Sequence, residues 1–233
     1  MSVVALIPAA GCGRRFGPGV RKQFLHLGGR PVVVRTLEIF QNHPLIDKIF
    51  LIVPADETDC CRQEIVAGYG LAKIAGVVSG GEERQDSVAN GLFACGSEAD
   101  DIVVIHDGVR PMFPAEKLGQ VILMARQNGA CIVGVPVKDT LKEVAGGVIC
   151  GTPDRSRLWQ AQTPQAFRYD IIRRAYEAAL EGGVRATDDA ALVERLGVKV
   201  RMIEGSYRNI KITTPEDLLL AEAFLAAAGE LGP

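Results

Sequence analysis

The sequence predicts an α/β fold, a three-layer sandwich whose mostly parallel central sheet carries helices on both faces. Three observations carry that prediction. Short β-branched runs alternate with stretches in which apolar residues recur at helical spacing, the pattern of repeated strand–helix units. The first run, Val3–Ile7, is apolar throughout instead of alternating, as befits a strand covered on both faces. The chain has 233 residues, 48% hydrophobic and 23% charged, which suits a large core in one domain spanning 1–233.

The elements follow in order. After Val3–Ile7, the stretch from Pro31 to Gln41 places Val34, Leu37 and Phe40 at helical spacing, with Pro31 suited to a first helical position. Lys48–Val53 reads as a strand, Glu57 to Tyr69 as a helix, Ala75–Ser79 as a strand and Glu83 to Cys95 as a helix. Ile102–His106 is the next strand, Pro114 to Gln127 a helix and Ala130–Val137 a strand. The alternation then stops. Gly146-Gly147 lies between two short Val/Ile segments and a polar stretch follows, so residues 138–162 predict a protruding β-hairpin arm and a loop after it. Tyr169 to Leu180 and Asp188 to Leu196 read as helices, Val198–Ile203 and Asn209–Ile212 as strands. Asp188 and Asp189 fit the capping acids of a helix start. Thr214-Pro215-Glu216-Asp217 opens the last helix, with Thr as cap and acids facing the helix dipole.

Composition excludes several classes. The net charge of −2 argues against a general nucleic-acid binder. No apolar run reaches the roughly 18 residues of a membrane-spanning helix: Glu222 interrupts the C-terminal apolar stretch, and the first ten residues contain Pro8 and lack a basic leader. No membrane partner is therefore expected. Six cysteines without CxxC spacing read as reduced thiols, which points to the cytoplasm. His26, His43 and His106 are too far apart to form a His-rich zinc site. With Pro233 as its last residue, the chain is expected to carry no fused downstream enzyme.

Open parallel sheets bind ligands at the carboxyl ends of their strands, which directs attention to the loops after Ile7, Val78, Ile105 and Val135. The first loop, Pro8 to Gly17, is rich in Gly and Ala, so backbone amides can approach a phosphate. It is not a dinucleotide fingerprint, because Phe16 stands where GxGxxG needs its last Gly, and it is not a P-loop. That failure disfavours a nicotinamide or flavin oxidoreductase. Arg14, Arg15, Arg21 and Lys22 fall within nine positions. In a nearly neutral chain this density reads as an anion site, with a solvated basic turn as the alternative.

The pattern Ala9-Ala10-Gly11-x-Gly13-x-Arg15, followed by Lys22-Gln23-Phe24, resembles the signature of nucleotidyltransferases that act on sugar or polyol phosphates. Further motifs occur in family order: Ser79-Gly80-Gly81-Glu82-Glu83-Arg84-Gln85-Asp86-Ser87-Val88, His106-Asp107-Gly108-Val109-Arg110-Pro111, Pro136-Val137-Lys138-Asp139-Thr140, Trp159-x-x-x-Thr163-Pro164-Gln165, Thr187-Asp188-Asp189 and Asn209-Ile210-Lys211-Ile212-Thr213. From about Val3 to Leu220 the chain resembles the 2-C-methyl-D-erythritol 4-phosphate cytidylyltransferase family of the non-mevalonate isoprenoid pathway. The resemblance implies a Rossmann-like sandwich and attack by a phosphate monoester on the α-phosphorus of CTP, with pyrophosphate leaving.

The resemblance also implies roles. Arg15 and Lys22 grip the triphosphate, and Lys211 meets the α-phosphate. Ala9, Ala10, Gly11, Gly13, Gly81, Glu82 and Ser87 form the nucleotide pocket, with Glu82 where the family usually has Asp. Asp107, Arg110, Thr140, Arg155 and Thr163 meet the polyol phosphate, and the arm crosses to a second subunit of a homodimer. Taken by itself, Asp107 at a strand's carboxyl end suits Mg²⁺ or an ordinary turn, Lys211 a solvated strand end, His106 packing or a local hydrogen bond, and Arg84 a helix surface. Cys12 is assigned no chemistry. A phosphate monoester is already largely ionised at pH 7, so no general base is needed, and catalysis rests on positioning and positive charge. The rival readings are a ribitol-5-phosphate cytidylyltransferase and a non-catalytic nucleotide-binding protein of the same fold.

Overall fold

The computed structural model describes residues 1–11, 13, 16–17 and 20–229. Its strands are β1 (Val3–Pro8), β2 (His26–Leu27), β3 (Arg30–Pro31), β4 (Lys48–Val53), β5 (Ile74–Ser79), β6 (Ile102–Ile105), β7 (Ala130–Pro136), β8 (Glu143–Ala145), β9 (Val148–Gly151), β10 (Trp159–Arg168) and β11 (Arg201–Glu204). Its helices are α1 (Val32–Gln41), α2 (Thr58–Cys60), α3 (Arg84–Ala94), α4 (Leu118–Asn128), α5 (Tyr169–Glu181), α6 (Asp189–Arg195) and α7 (Pro215–Ala227).

Seven strands form one sheet in the order β11-β7-β10-β6-β1-β4-β5. All run parallel except β10, which is antiparallel to both β6 and β7. Ala5 pairs with Ile49 on one side and Val104 on the other, which puts β1 inside the sheet. A strand's side chains alternate between faces, so its continuous apolar run serves two cores. Val3, Ala5 and Ile7 pack with Val34, Leu37 and Phe40 of α1 and Val121 of α4. Val4 and Leu6 pack with Val88 and Leu92 of α3 and Ile172 and Tyr176 of α5. A third cluster joins Leu27, Val32, Val109 and Ile212 to Ala221 and Leu225 of α7. The predicted cap of that helix is present as a reciprocal Thr214–Asp217 capping box with Pro215 in the first turn.

The structure corrects four local expectations. The polar stretch after the arm is not a loop: it is β10, in the middle of the sheet. Gln162, Thr163 and Gln165 obscured it, because buried strands are expected to be apolar. Their polar atoms are satisfied within the fold: Gln162 donates to the Ser206 carbonyl at 2.9 Å, and Gln165 donates to Asp188 at 2.8 Å and accepts from the Ala190 amide at 3.0 Å. The expected helix from Glu57 to Tyr69 is one turn of α2 continued as a π-helix over Cys61–Ala67, with wide-turn bonds from the Gly68 amide to Gln63 and the Leu71 amide to Val66. Asn209–Ile212 is not a strand: its backbone bonds run outside any ladder, with the Asn209 carbonyl accepting from Arg110 and the Ile212 amide donating to the Val109 carbonyl. The strand expected over Val198–Ile203 starts later, at Arg201.

The arm is present as the antiparallel β8–β9 hairpin, turned by Gly146 and Gly147 with φ of +56° and +79°. Val144, Val148 and Ile149 on it are each about three-fifths exposed.

Phe167 of β10 is fully buried between β6 and β7. Phe167→Ala is expected to destabilise the protein by about 3–5 kcal/mol in urea denaturation, whereas Leu219→Ala, on the exposed face of α7, should stay within about 0.5 kcal/mol.

Candidate active site

A cleft of about 490 Å³ opens at the carboxyl ends of β1, β5 and β6. One wall is made of small residues. Pro8, Ala9, Ala10 and Gly11 continue β1, and Gly81 precedes α3. A Cβ on Gly81 would lie 2.4 Å from that of Asp86, so only Gly fits this turn. Ser87, one turn into α3, accepts from the Gly81 amide at 3.1 Å and donates to the Glu83 carbonyl at 3.1 Å, which holds the turn closed. Glu82 stands exposed at the rim. Gly13 needs a different conformation, with φ of +60° and a position where a Cβ would meet the Val20 carbonyl at 2.4 Å.

Cations also line the cleft. Lys22 opens the short 3₁₀ turn Lys22–Phe24, and Lys211 comes from the loop before α7. Arg21 pins the Lys22 segment to the end of β4 through Asp56 at 2.5 Å and Glu57 at 2.7 Å. Gln23 also lines the cleft, and its buried amide nitrogen has no hydrogen-bond partner among the described residues.

Asp107, two residues beyond the end of β6, lies at the centre. Its Oδ1 accepts from Arg84 at 2.8 Å, and its Oδ2 faces Arg110 at 3.3 Å and Lys211 at 3.0 Å. Burial alone would raise its pKa, but the charges of Arg84, Lys211 and Arg110 outweigh burial and hold the carboxyl well below the usual range. Arg84 also makes a two-pronged pair with the buried Asp189 at 3.0 and 2.8 Å, and Asp189 accepts from the Tyr176 hydroxyl at 2.6 Å. Arg84 is therefore a cleft residue and not a helix-surface charge. Asp188 caps α6 as expected, by accepting from the Ala191 amide at 3.0 Å.

Of the predicted site residues, Gly13 is described but is not among the residues that line the cleft; the others divide as follows. Ala9, Ala10, Gly11, Lys22, Gly81, Glu82, Ser87, Asp107 and Lys211 all line the cleft. Arg110 and Thr163 stand behind it: Arg110 reaches Asp107 and the Asn209 carbonyl, and the buried Thr163 hydroxyl accepts from the Asp107 amide at 3.0 Å. Thr140 and Arg155 lie at the arm, where Arg155 donates to the Lys138 carbonyl, and neither is among the described residues lining the cleft. Arg15 lies outside the described residues.

Magnesium favours carboxylate, phosphate and water oxygens. Both oxygens of Asp107 are taken by cations, and no group of three or more His, Cys, Asp or Glu suited to a metal occurs among the described residues. Asp107 as found does not fit a direct metal ligand; a metal would have to displace Arg84 or the Lys211–Arg110 pair. No helix among the described residues is long and apolar enough to cross a membrane.

A family model described as 2-C-methyl-D-erythritol 4-phosphate cytidylyltransferase matches residues 3–227. The chain belongs to this family. A protein of that name from Syntrophotalea carbinolica is 58% identical over 230 residues, covering 99% of both chains. One from Geobacter metallireducens is 53% identical, covering 97% of this chain and 98% of its own. Among solved structures, the 4-diphosphocytidyl-2C-methyl-D-erythritol synthase of Anaerococcus prevotii superposes with a TM-score of 0.85 at 35% identity, covering 97% of this chain and 96% of its own. The cytidylyltransferase of Francisella tularensis superposes with a TM-score of 0.82 at 30% identity, covering 96% and 99%.

A carboxyl held this low stabilises the fold above the ordinary aspartate value of about 3.9, and its contribution disappears as pH falls through the lower folded value. Asp107→Asn should therefore cost about 3–5 kcal/mol at pH 7, the loss expected when a buried charge network loses one partner. In urea titrations the difference from wild type should shrink as pH is lowered from 5 to 2.

Proposed function

We propose that this protein transfers CMP from CTP to 2-C-methyl-D-erythritol 4-phosphate, releasing pyrophosphate and forming 4-diphosphocytidyl-2-C-methyl-D-erythritol for isoprenoid precursor synthesis. The observation that carries this reading is the cleft itself. Small residues and backbone form one wall, where a flat pyrimidine and its ribose can lie close. Lys22 and Lys211 line the same cleft and supply positive charge for phosphates.

The acceptor phosphate arrives already ionised, so the barrier lies in bringing two polyanions into line. Lys22 offsets the charge of the triphosphate and of the departing pyrophosphate. Lys211 meets the α-phosphate in this reading, and its 3.0 Å contact to Asp107 supports a fixed orientation. Fixed cations lower the barrier most when they need no rearrangement during the step, and Asp107 supplies that fixation. Arg15 is added to the triphosphate set on the strength of its sequence motif. Magnesium would enter as a counter-ion held by phosphate oxygens and water, partly neutralising the triphosphate.

Thr140 and Arg155 sit on or beside an arm with an exposed apolar surface, which suits an element that seats on a second copy of the chain. In a homodimer of this kind they would reach the acceptor phosphate of the partner's site. Free thiols at Cys61, Cys95 and Cys131 suit the reducing cytoplasm.

The test is pyrophosphate release with Mg²⁺, using four NTPs crossed with methylerythritol phosphate and ribitol 5-phosphate. Release is expected with CTP and methylerythritol phosphate. No release with any pair would overturn the reading, and preference for ribitol phosphate would reassign the acceptor. Lys22→Ala should lower turnover about 10²–10³-fold with an unchanged thermal melt; near-normal turnover would place the triphosphate elsewhere.

A further inference from the structure

We propose that His106 and Asn209, neither of which lines the cleft, are positioning residues for the transfer, acting through a closed hydrogen-bond ring beneath Asp107, Arg110 and Lys211. The inference rests on the reading above for its activity readout. The ring has four members. His106 Nε2 lies 3.0 Å from the Arg110 carbonyl, and Thr163 Oγ1 lies 3.1 Å from His106 Nδ1. Asn209 donates to the Thr163 carbonyl at 2.8 Å, and Arg110 Nη1 donates to the Asn209 carbonyl at 2.8 Å, which closes the circuit.

Each link has one possible direction. A carbonyl only accepts, so His106 carries its proton on Nε2 and leaves Nδ1 as acceptor. Thr163 must then donate to Nδ1, which frees its oxygen to accept from the Asp107 amide at 3.0 Å. His106 and Asn209 are fully buried and Thr163 nearly so, and the imidazole is packed between Phe40 and Phe113 with centroids 5.1 and 5.6 Å away. Buried polar groups that pair with one another favour a single arrangement, because breaking a link leaves a further donor or acceptor unpaired; Asn209 Oδ1 is already without a partner among the described residues.

The ring joins segments that are distant in the chain. Residues 106–110 follow β6, Thr163 belongs to β10, and Asn209 precedes Lys211 by two positions. The ring therefore sets the spacing of Asp107, Arg110 and Lys211. Transfer between two anions depends on that spacing, and a displacement of about 1 Å can cost on the order of 10²-fold.

The test uses variants that keep shape and remove links. His106→Phe retains the ring stacking and deletes both imidazole bonds; Thr163→Val deletes the hydroxyl, and Thr163→Ser restores it. His106→Phe and Thr163→Val should each lower kcat about 10–100-fold, with CTP affinity measured by calorimetry within about threefold of wild type. Thr163→Ser should recover most of the loss. The double variant His106→Phe/Thr163→Val should be little worse than either single one, because both break the same link. Wild-type kcat in the folded Phe and Val variants, or losses that multiply in the double variant, would overturn the proposal. If His106→Phe does not fold, the Val and Ser pair decides the matter. Imidazole ¹⁵N shifts of His106 in the wild type are read independently of activity. A protonated Nε2 with bare Nδ1 supports the ring even if no transfer is found, and the opposite tautomer refutes it.

Discussion

A single buried carboxylate organises this molecule's cleft. Asp107 draws Arg84 from the start of α3, Arg110 from its own loop and Lys211 from the segment before α7 onto two oxygen atoms. Without that charge, three cations from separate parts of the chain would repel one another inside a partly desolvated site. With it, they are held where an anionic substrate would meet them. The carboxylate is costly to bury, and the cost is offset only because all three partners are present. Asp189 and Tyr176 extend the same logic to α6 and α5, so the helices on one face of the sheet are tied to the site at the carboxyl ends of its strands.

This arrangement explains why a phosphoryl-transfer site needs no buried base. The acceptor brings its own negative charge, and the protein's contribution is geometry and opposite charge. The small residues of the first loop and of the Gly81 turn leave the backbone uncovered where they line the cleft. Hydrogen bonds within the turn, such as Ser87 with Gly81, are already satisfied within the protein, so the wall is formed before a ligand arrives.

Much of this was legible in the sequence, and the exceptions have physical causes. The continuous apolar runs of β1 and β4 and the helical spacing in α1 follow directly from burial on two faces or one, so those elements and the fold class were readable. The first-loop residues and Lys22 could be read from their motif, and the cleft brings Ala9, Ala10, Gly11 and Lys22 together, while Gly13 serves the turn behind them. β10 was not readable, because its central residues Gln162, Thr163 and Gln165 look like a loop until their buried partners are known. Arg84 and Asp189 looked like a helix-surface charge and a capping acid. Their pairing spans a sequence separation of 105 residues, which no local pattern encodes. His106 was expected to pack or to make a local hydrogen bond, and it packs between Phe40 and Phe113 and meets Arg110, but its link to Thr163 depends on β10.

The reversed direction of β10 also bears on how the chain is built during synthesis. The strands β1, β4, β5 and β6 are contiguous in the sheet and can pair as soon as residue 105 is available. The apolar strand β7 cannot join them directly, since its neighbours in the sheet are β10 and β11, both made later. Until about residue 168 has emerged, β7 is a hydrophobic strand with two unsatisfied edges, the kind of segment that invites wrong pairings between nascent chains. The arm lies between β7 and β10 in sequence, so the same connection that reaches outward in the finished fold also sets how long that strand must wait.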